Sequence, residues 1–123
     1  MINFGHPLSA ESLALISDMC DCTLSQIVDV KVQVSQDAPF SPQIASIMDS
    51  VPLTPHQWQT SPFLVILPGL AAAAGCILAE IHGRCGYFPT ICRLKPVGGP
   101  PPKFEPAELI GLSSVRELAR EKR

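Results

Sequence analysis

Seventeen consecutive uncharged residues, Phe63 to Ala79 (F-L-V-I-L-P-G-L-A-A-A-A-G-C-I-L-A), constrain this chain more than any other stretch. Phe63 to Leu67 is apolar throughout, as a strand buried on both faces must be. Pro68-Gly69 breaks that strand, and the residues from Leu70 resume as a helix whose first turn has almost no side chains. Backbone N–H groups left bare at the positive end of a helix dipole attract anions. A strand that delivers a helix start in this way is the usual phosphate seat of open α/β sheets, at the carboxyl ends of the strands. The run lacks the full G-x-G-x-x-G spacing and the lysine of a P-loop. As a membrane span it would be short, broken by Pro-Gly and without a basic anchor on either flank.

At 123 residues the chain has the size of one domain, residues 1–123, with a single core. Hydrophobic residues make up 46% and charged residues 16%, so self-association as a homodimer or larger homo-oligomer is expected to cover apolar surface. A formal charge of −2 argues against binding to long nucleic acid, which requires many lysines and arginines to neutralise phosphates. A small phosphorylated ligand remains compatible with that charge. Met1 to Phe4 shows no basic start or long apolar stretch of a signal peptide, so the five cysteines are expected to be reduced thiols in the cytoplasm.

Along the chain, helical and strand signals alternate. Ser9 is a helix cap with Glu11 in the first turn, and Leu13, Ile16 and Cys20 recur at helical spacing over residues 10 to 19. Val28, Val30, Val32 and Val34 alternate with polar residues, the mark of a strand with one wet face. Ser41-Pro42 predicts the start of a second helix, with Ile44, Ile47, Met48 and Val51 on its apolar face. Residues 52–62 hold three prolines and the only tryptophan and read as a loop, a lid or a packing wedge. A helix from about Leu70 to His82 stops at Gly83 or Gly86, and Thr90 to Leu94 is the next strand. Val97 to Pro102 (V-G-G-P-P-P) reads as a loop or flap. A strand near Glu108 to Gly111 follows, then a capping box, Ser114 with Glu117, opening a last helix. Strands alternating with helices predict an α/β fold of four to five strands with helices on both faces.

Three places carry candidate chemistry. His6, in G-H-P-L-S between the first strand and first helix, is suited to hydrogen-bond a phosphate or to act as a general acid or base. It is equally a residue that merely shapes the turn before Pro7. The turn Pro68, Gly69, Leu70 and Ala71 is the anion seat, or a tight connection that brings the helix close to the sheet. In E-I-H-G-R-C-G-Y-F-P, Arg84 is suited to pair with phosphate, although a helix stop with left-handed Gly83 and Gly86 accounts for the segment better. Trp58 is open to two readings, stacking on adenine and closing the core. Cys20-x-Cys22 with His82-x-x-Cys85 lacks the Cys-x-x-Cys spacing of a zinc knuckle, so no metal is expected. No cofactor motif, nucleophile elbow or paired-carboxylate motif is present.

Taken in order, G-H-P-L-S, W-Q-T-S-P, L-P-G-L and H-G-R-C-G-Y-F-P resemble the small CRISPR-associated accessory family Csx-fifteen of type III systems, over nearly the whole chain from Asn3 to about Arg120. The resemblance implies a Rossmann-like fold related to the CARF sensor domains, a homodimer, and a cyclic oligoadenylate ligand, cyclic tetra-adenylate in particular. It implies ligand contact by His6, Pro7, Leu8 and Ser9 and by the Pro68–Ala71 turn. Neighbouring families include metal-independent ring nucleases, which aim a ribose 2′-OH at the adjacent phosphate. One histidine, one serine and backbone donors make a binding set more than a catalytic one. The expectation is therefore a binder that sequesters the messenger, with a ring nuclease using His6 as the alternative. A third reading is an interaction subunit that binds no nucleotide. The role of the Gly98–Pro102 loop is left open.

Overall fold

The structure is a computed structural model that describes all of residues 1–123. Ten elements follow one another: β1 (Ile2–Asn3), α1 (Ala10–Cys20), β2 (Val28–Asp29), α2 (Phe40–Asp49), α3 (Pro55–Thr60), β3 (Leu64–Ile66), α4 (Ala71–Cys85), β4 (Thr90–Val97), β5 (Lys103–Gly111) and α5 (Leu112–Arg120). The five strands form one sheet in the order β2-β1-β3-β4-β5, parallel except for the antiparallel β4–β5 hairpin. This is the predicted α/β class, a small Rossmann-like sheet with helices on both faces.

The two faces are covered unequally. Alternation along β1 and β3 sends Ile2, Phe4 and Val65 to one side, where they bury against Ile44 and Met48 of α2, Trp58 of α3 and the Ala73–Ile77–Ile81–Cys85 stripe of α4. On the other side α1 packs through Ile16 on Ile66 and Cys92. Three helices pack on one face and α1 on the other, while α5, which follows β5, buries none of its residues, and room is left beside α1.

The winding reverses at β1. The chain passes from β1 over α1 to β2 on one flank, then crosses through α2 and α3 to β3 on the other, so the chain leaves β1 and β3 toward opposite faces of the sheet. Asn3 lies level with Asp29 of β2 and Ile66 of β3, which places the β1–α1 and β3–α4 loops side by side at that edge.

Several boundaries differ from the sequence reading, each for a local reason. The 28–34 alternation persists in burial, with Val30 buried and Val32 and Val34 packed on the core. Only Val28 and Asp29 pair as a strand, because β1 offers just two residues to pair with. Residues 52–62 contain α3, opened by a capping box between Thr54 and Gln57 and by Pro55 at its first position. Helix α2 starts at Phe40 after Pro39, so Ser41 lies inside it and is not its cap. Helix α4 runs through Gly83 to Cys85 and ends at Gly86, whose φ of +83° is the left-handed stop. The Ser114–Glu117 box is not formed, since α5 already begins at Leu112.

The cysteine expectation also needs correction. Asp21 caps α1 in a left-handed conformation (φ 48°), and that turn brings Cys20 and Cys22 to a Cα separation of 5.2 Å, where they are joined by a disulfide. Cys76, Cys85 and Cys92 are free, and burial pushes the Cys85 and Cys92 thiols up. Nowhere are three or more metal-binding side chains gathered, and His82 instead lies against Phe88 with ring centroids 4.4 Å apart. No helix is long and apolar enough to cross a membrane.

Candidate functional site

The site begins with Asn3, the last residue of β1 and 1% exposed. A polar side chain buried to that degree must be hydrogen-bonded, and its amide serves three partners. Its Nδ2 donates to the His6 carbonyl at 2.9 Å and to Asp29 Oδ1 at 2.8 Å, while its Oδ1 accepts from the Gly5 N–H at 2.9 Å. One side chain thus ties β2, β1 and the loop that follows into a fixed turn. Gly5 fits because the backbone passes close to β3: an added Cβ would stand 3.3 Å from both Asn3 Oδ1 and Ile66 Cγ2. The loop ends at Ser9, which accepts from the Ser12 N–H at 3.1 Å and so caps α1.

Across the switch point stands the start of α4. Its cap residue Leu70 makes no side-chain hydrogen bond to the helix, and the first turn holds no acidic residue. The first amides of the helix therefore have no side-chain acceptor, as the run of alanines requires. Gly69 is exposed, and nothing lies within 4 Å of where its Cβ would be.

These two loops border one cavity of about 790 Å³. Gly5 to Ser9 and Gly69 line one end, α1 contributes Glu11, Ser12 and Leu15, and the β4–β5 hairpin closes the far side. The hairpin reaches there because β4 continues past Ile91, its last pairing with β3, to Val97. Its outer residues stand beyond the carboxyl edge of the parallel strands. Arg93 is held in an ion pair by Glu108, whereas Lys103 forms none. The lining is mostly apolar surface with a few polar groups, the usual make-up of a small-molecule cleft.

Of the residues singled out in sequence, His6, Pro7, Leu8, Ser9 and Gly69 line this cavity. Pro68, Leu70 and Ala71 do not line it, and Leu70 is 38% exposed. Trp58 and Arg84 are a clear correction, because both belong to the opposite face of the sheet. Trp58 is 3% exposed in the main core and packs on Phe63 at 5.2 Å between ring centroids. Arg84 bonds Asp49 at 2.7 Å and Glu80 at 3.0 Å and covers the Trp58 ring at 5.9 Å. The hydrogen bond to Asp49 is the main cause holding the Arg84 pKa above its ordinary value; burial opposes it and Glu80 adds to it. Arg84 thus fastens α2 to α4 and is spent on protein carboxylates.

Substituting Arg84→Ala is expected to lower stability by about 1 kcal/mol, the scale of a part-exposed ion pair. Affinity for any ligand of the cavity should stay within about twofold, as for distant sites in general. Thermal melting and a binding titration check the two halves of that expectation.

Sequence reasoning missed Asn3 and the outer rungs of the hairpin, residues 95–97 and 103–107. A lone asparagine inside I-N-F just before G-H-P was the available signal for the first. Those rungs were hidden by Pro96 and Pro106, which look like strand breakers but sit on an edge ribbon that tolerates them. No protein-family model, curated protein or solved structure matches this chain.

Proposed function

We propose that this chain binds a cyclic oligoadenylate, cyclic tetra-adenylate in particular, and dampens type III CRISPR signalling in the cytoplasm by holding the messenger. The observation that supports this most is the meeting of the His6–Ser9 loop and Gly69 at one open cavity on the switch point of the sheet. Gly69 at the approach to α4 and the loop fixed by Asn3 suit phosphate oxygens. A volume of about 790 Å³ is room for part of the ring, not all of it. A ring of four identical nucleotides has a two-fold axis, so a homodimer would share it, each copy taking half. Sequestration then acts by mass action and requires protein in excess of messenger.

The enzymatic reading, a metal-independent ring nuclease, is favoured by the exposed imidazole of His6 at the cavity. The balance tips toward binding because His6 is tied to Asn3 only through its backbone carbonyl, and Ser9 is occupied as a cap. A general base of this kind needs a partner that orients its ring.

Incubating labelled cyclic tetra-adenylate with excess protein and separating the products tests this directly. Retention of intact ring on the protein after many hours is expected. A linear product with a 2′,3′-cyclic phosphate, lost in His6→Ala, would replace sequestration by catalysis. Absence of heat and of a melting shift on titration would leave the third reading, a subunit that binds protein and not nucleotide.

A further inference from the structure

The cavity has two walls of different build. Gly5 to Ser9 and Gly69 supply loop backbone with the His6 and Ser9 side chains, and the hairpin supplies Cys92, Leu94, Phe104 and Pro106 together with charged Arg93, Lys103 and Glu105. Register pairs Cys92 with Leu109, Leu94 with Pro106 and Pro96 with Phe104. Alternation therefore puts Phe104 on the same sheet face as Cys92, Leu94 and Pro106, the face on which α1 packs. Cys92 and Pro106 are buried there, yet the Phe104 ring, farther along the same row, is 52% exposed where it lines the cavity. Leu15 of α1 lines the same cavity and is 41% exposed.

A large aromatic left half bare inside a concave site differs from a scattered surface hydrophobe. Its exposed half is available to a flat partner, and a nucleotide joins a flat base to phosphate. We infer that Phe104 is the stacking platform for an adenine base whose phosphate lies at the Gly5–Ser9 and Gly69 end. This rests on the reading under Proposed function and adds to it the residue that receives the base. Base–aromatic stacking is sequence-tolerant, so this wall supplies affinity while the Gly5–Ser9 and Gly69 side fixes orientation.

The test follows the Phe104 ring resonances by NMR, with adenosine 5′-monophosphate, ribose 5-phosphate and cyclic tetra-adenylate as separate probes. Both adenine probes are expected to shift the ring signals, and ribose 5-phosphate to leave them in place. Phe104→Ala should weaken cyclic tetra-adenylate binding about 5- to 150-fold, Phe104→Leu nearly as much, and Phe104→Trp should keep it. If cyclic tetra-adenylate binds without moving the ring, the stacking role is wrong and the messenger assignment stands. If the monophosphate moves the ring and the cyclic ligand does not bind, the platform stands and the messenger assignment falls. If neither adenine probe moves it, the inference is overturned outright.

Discussion

Gly69→Asp is expected to lose cyclic tetra-adenylate binding by about a hundredfold or more while melting at or slightly above the temperature of the unaltered protein. The steric side is clear, because a Cβ at Gly69 meets nothing within 4 Å. The electrostatic side has two opposite consequences. A carboxylate beside the uncapped start of α4 complements the helix dipole and contributes roughly 0.3–1 kcal/mol to stability. The same charge repels phosphate oxygens within a few ångströms, and every 1.4 kcal/mol of that repulsion is about tenfold in affinity. Gly69→Ala provides the control, with space filled and no charge added. Calorimetric titration alongside a melting curve reads both effects. Undiminished affinity in the aspartate variant would mean that phosphate does not rest at the start of α4.

Asn3→Leu should be the most damaging single change near the site, though Leu and Asn are similar in size. It leaves the Gly5 N–H without its acceptor and the His6 carbonyl and Asp29 without their donor. Unsatisfied buried polar groups cost about 1–3 kcal/mol each, so a loss of about 3 kcal/mol is expected. For a chain of this length that corresponds to a fall in Tm of roughly 10 °C. Asn3→Asp keeps the acceptor for Gly5 but sets a second carboxylate against Asp29. Burial and that like charge raise its folded-state pKa above the unfolded value of about 3.9. The penalty is therefore absent at lower pH and grows as pH rises above that value, so this variant should gain stability on acidification relative to Asn3→Leu. A Leu variant that melts within a degree or two of the parent would show that the network contributes little.

The sheet and its site were legible to different degrees, and for different reasons. The β3–α4 run announced itself because burial on both faces of a strand and an unbranched small-residue helix start leave distinctive composition. Ser9 was read as a cap and is one, since capping depends on neighbours only three residues apart. Trp58 and Arg84 were offered as ligand contacts, yet their partners Phe63, Asp49 and Glu80 lie on elements whose placement only the tertiary fold decides. Asn3 was invisible for a similar reason: its importance comes from Asp29, 26 residues away, arriving at the same level of the sheet. The inner halves of the hairpin strands were legible, but the outer rungs were not, because Pro96 and Pro106 read as strand breakers until an edge position makes them tolerable.

The β4–β5 ribbon closes its hydrogen-bond ladder within itself over most of its length. Residues beyond Ile91 owe nothing to β3. The outer wall of the cleft is in that sense a detachable module: adding or removing a rung would widen or narrow the space for a guest without touching the crevice where the chain reverses its winding. Guest size and anchor are thus controlled by separate stretches of the polypeptide, and a lineage could retune the one while holding the other still.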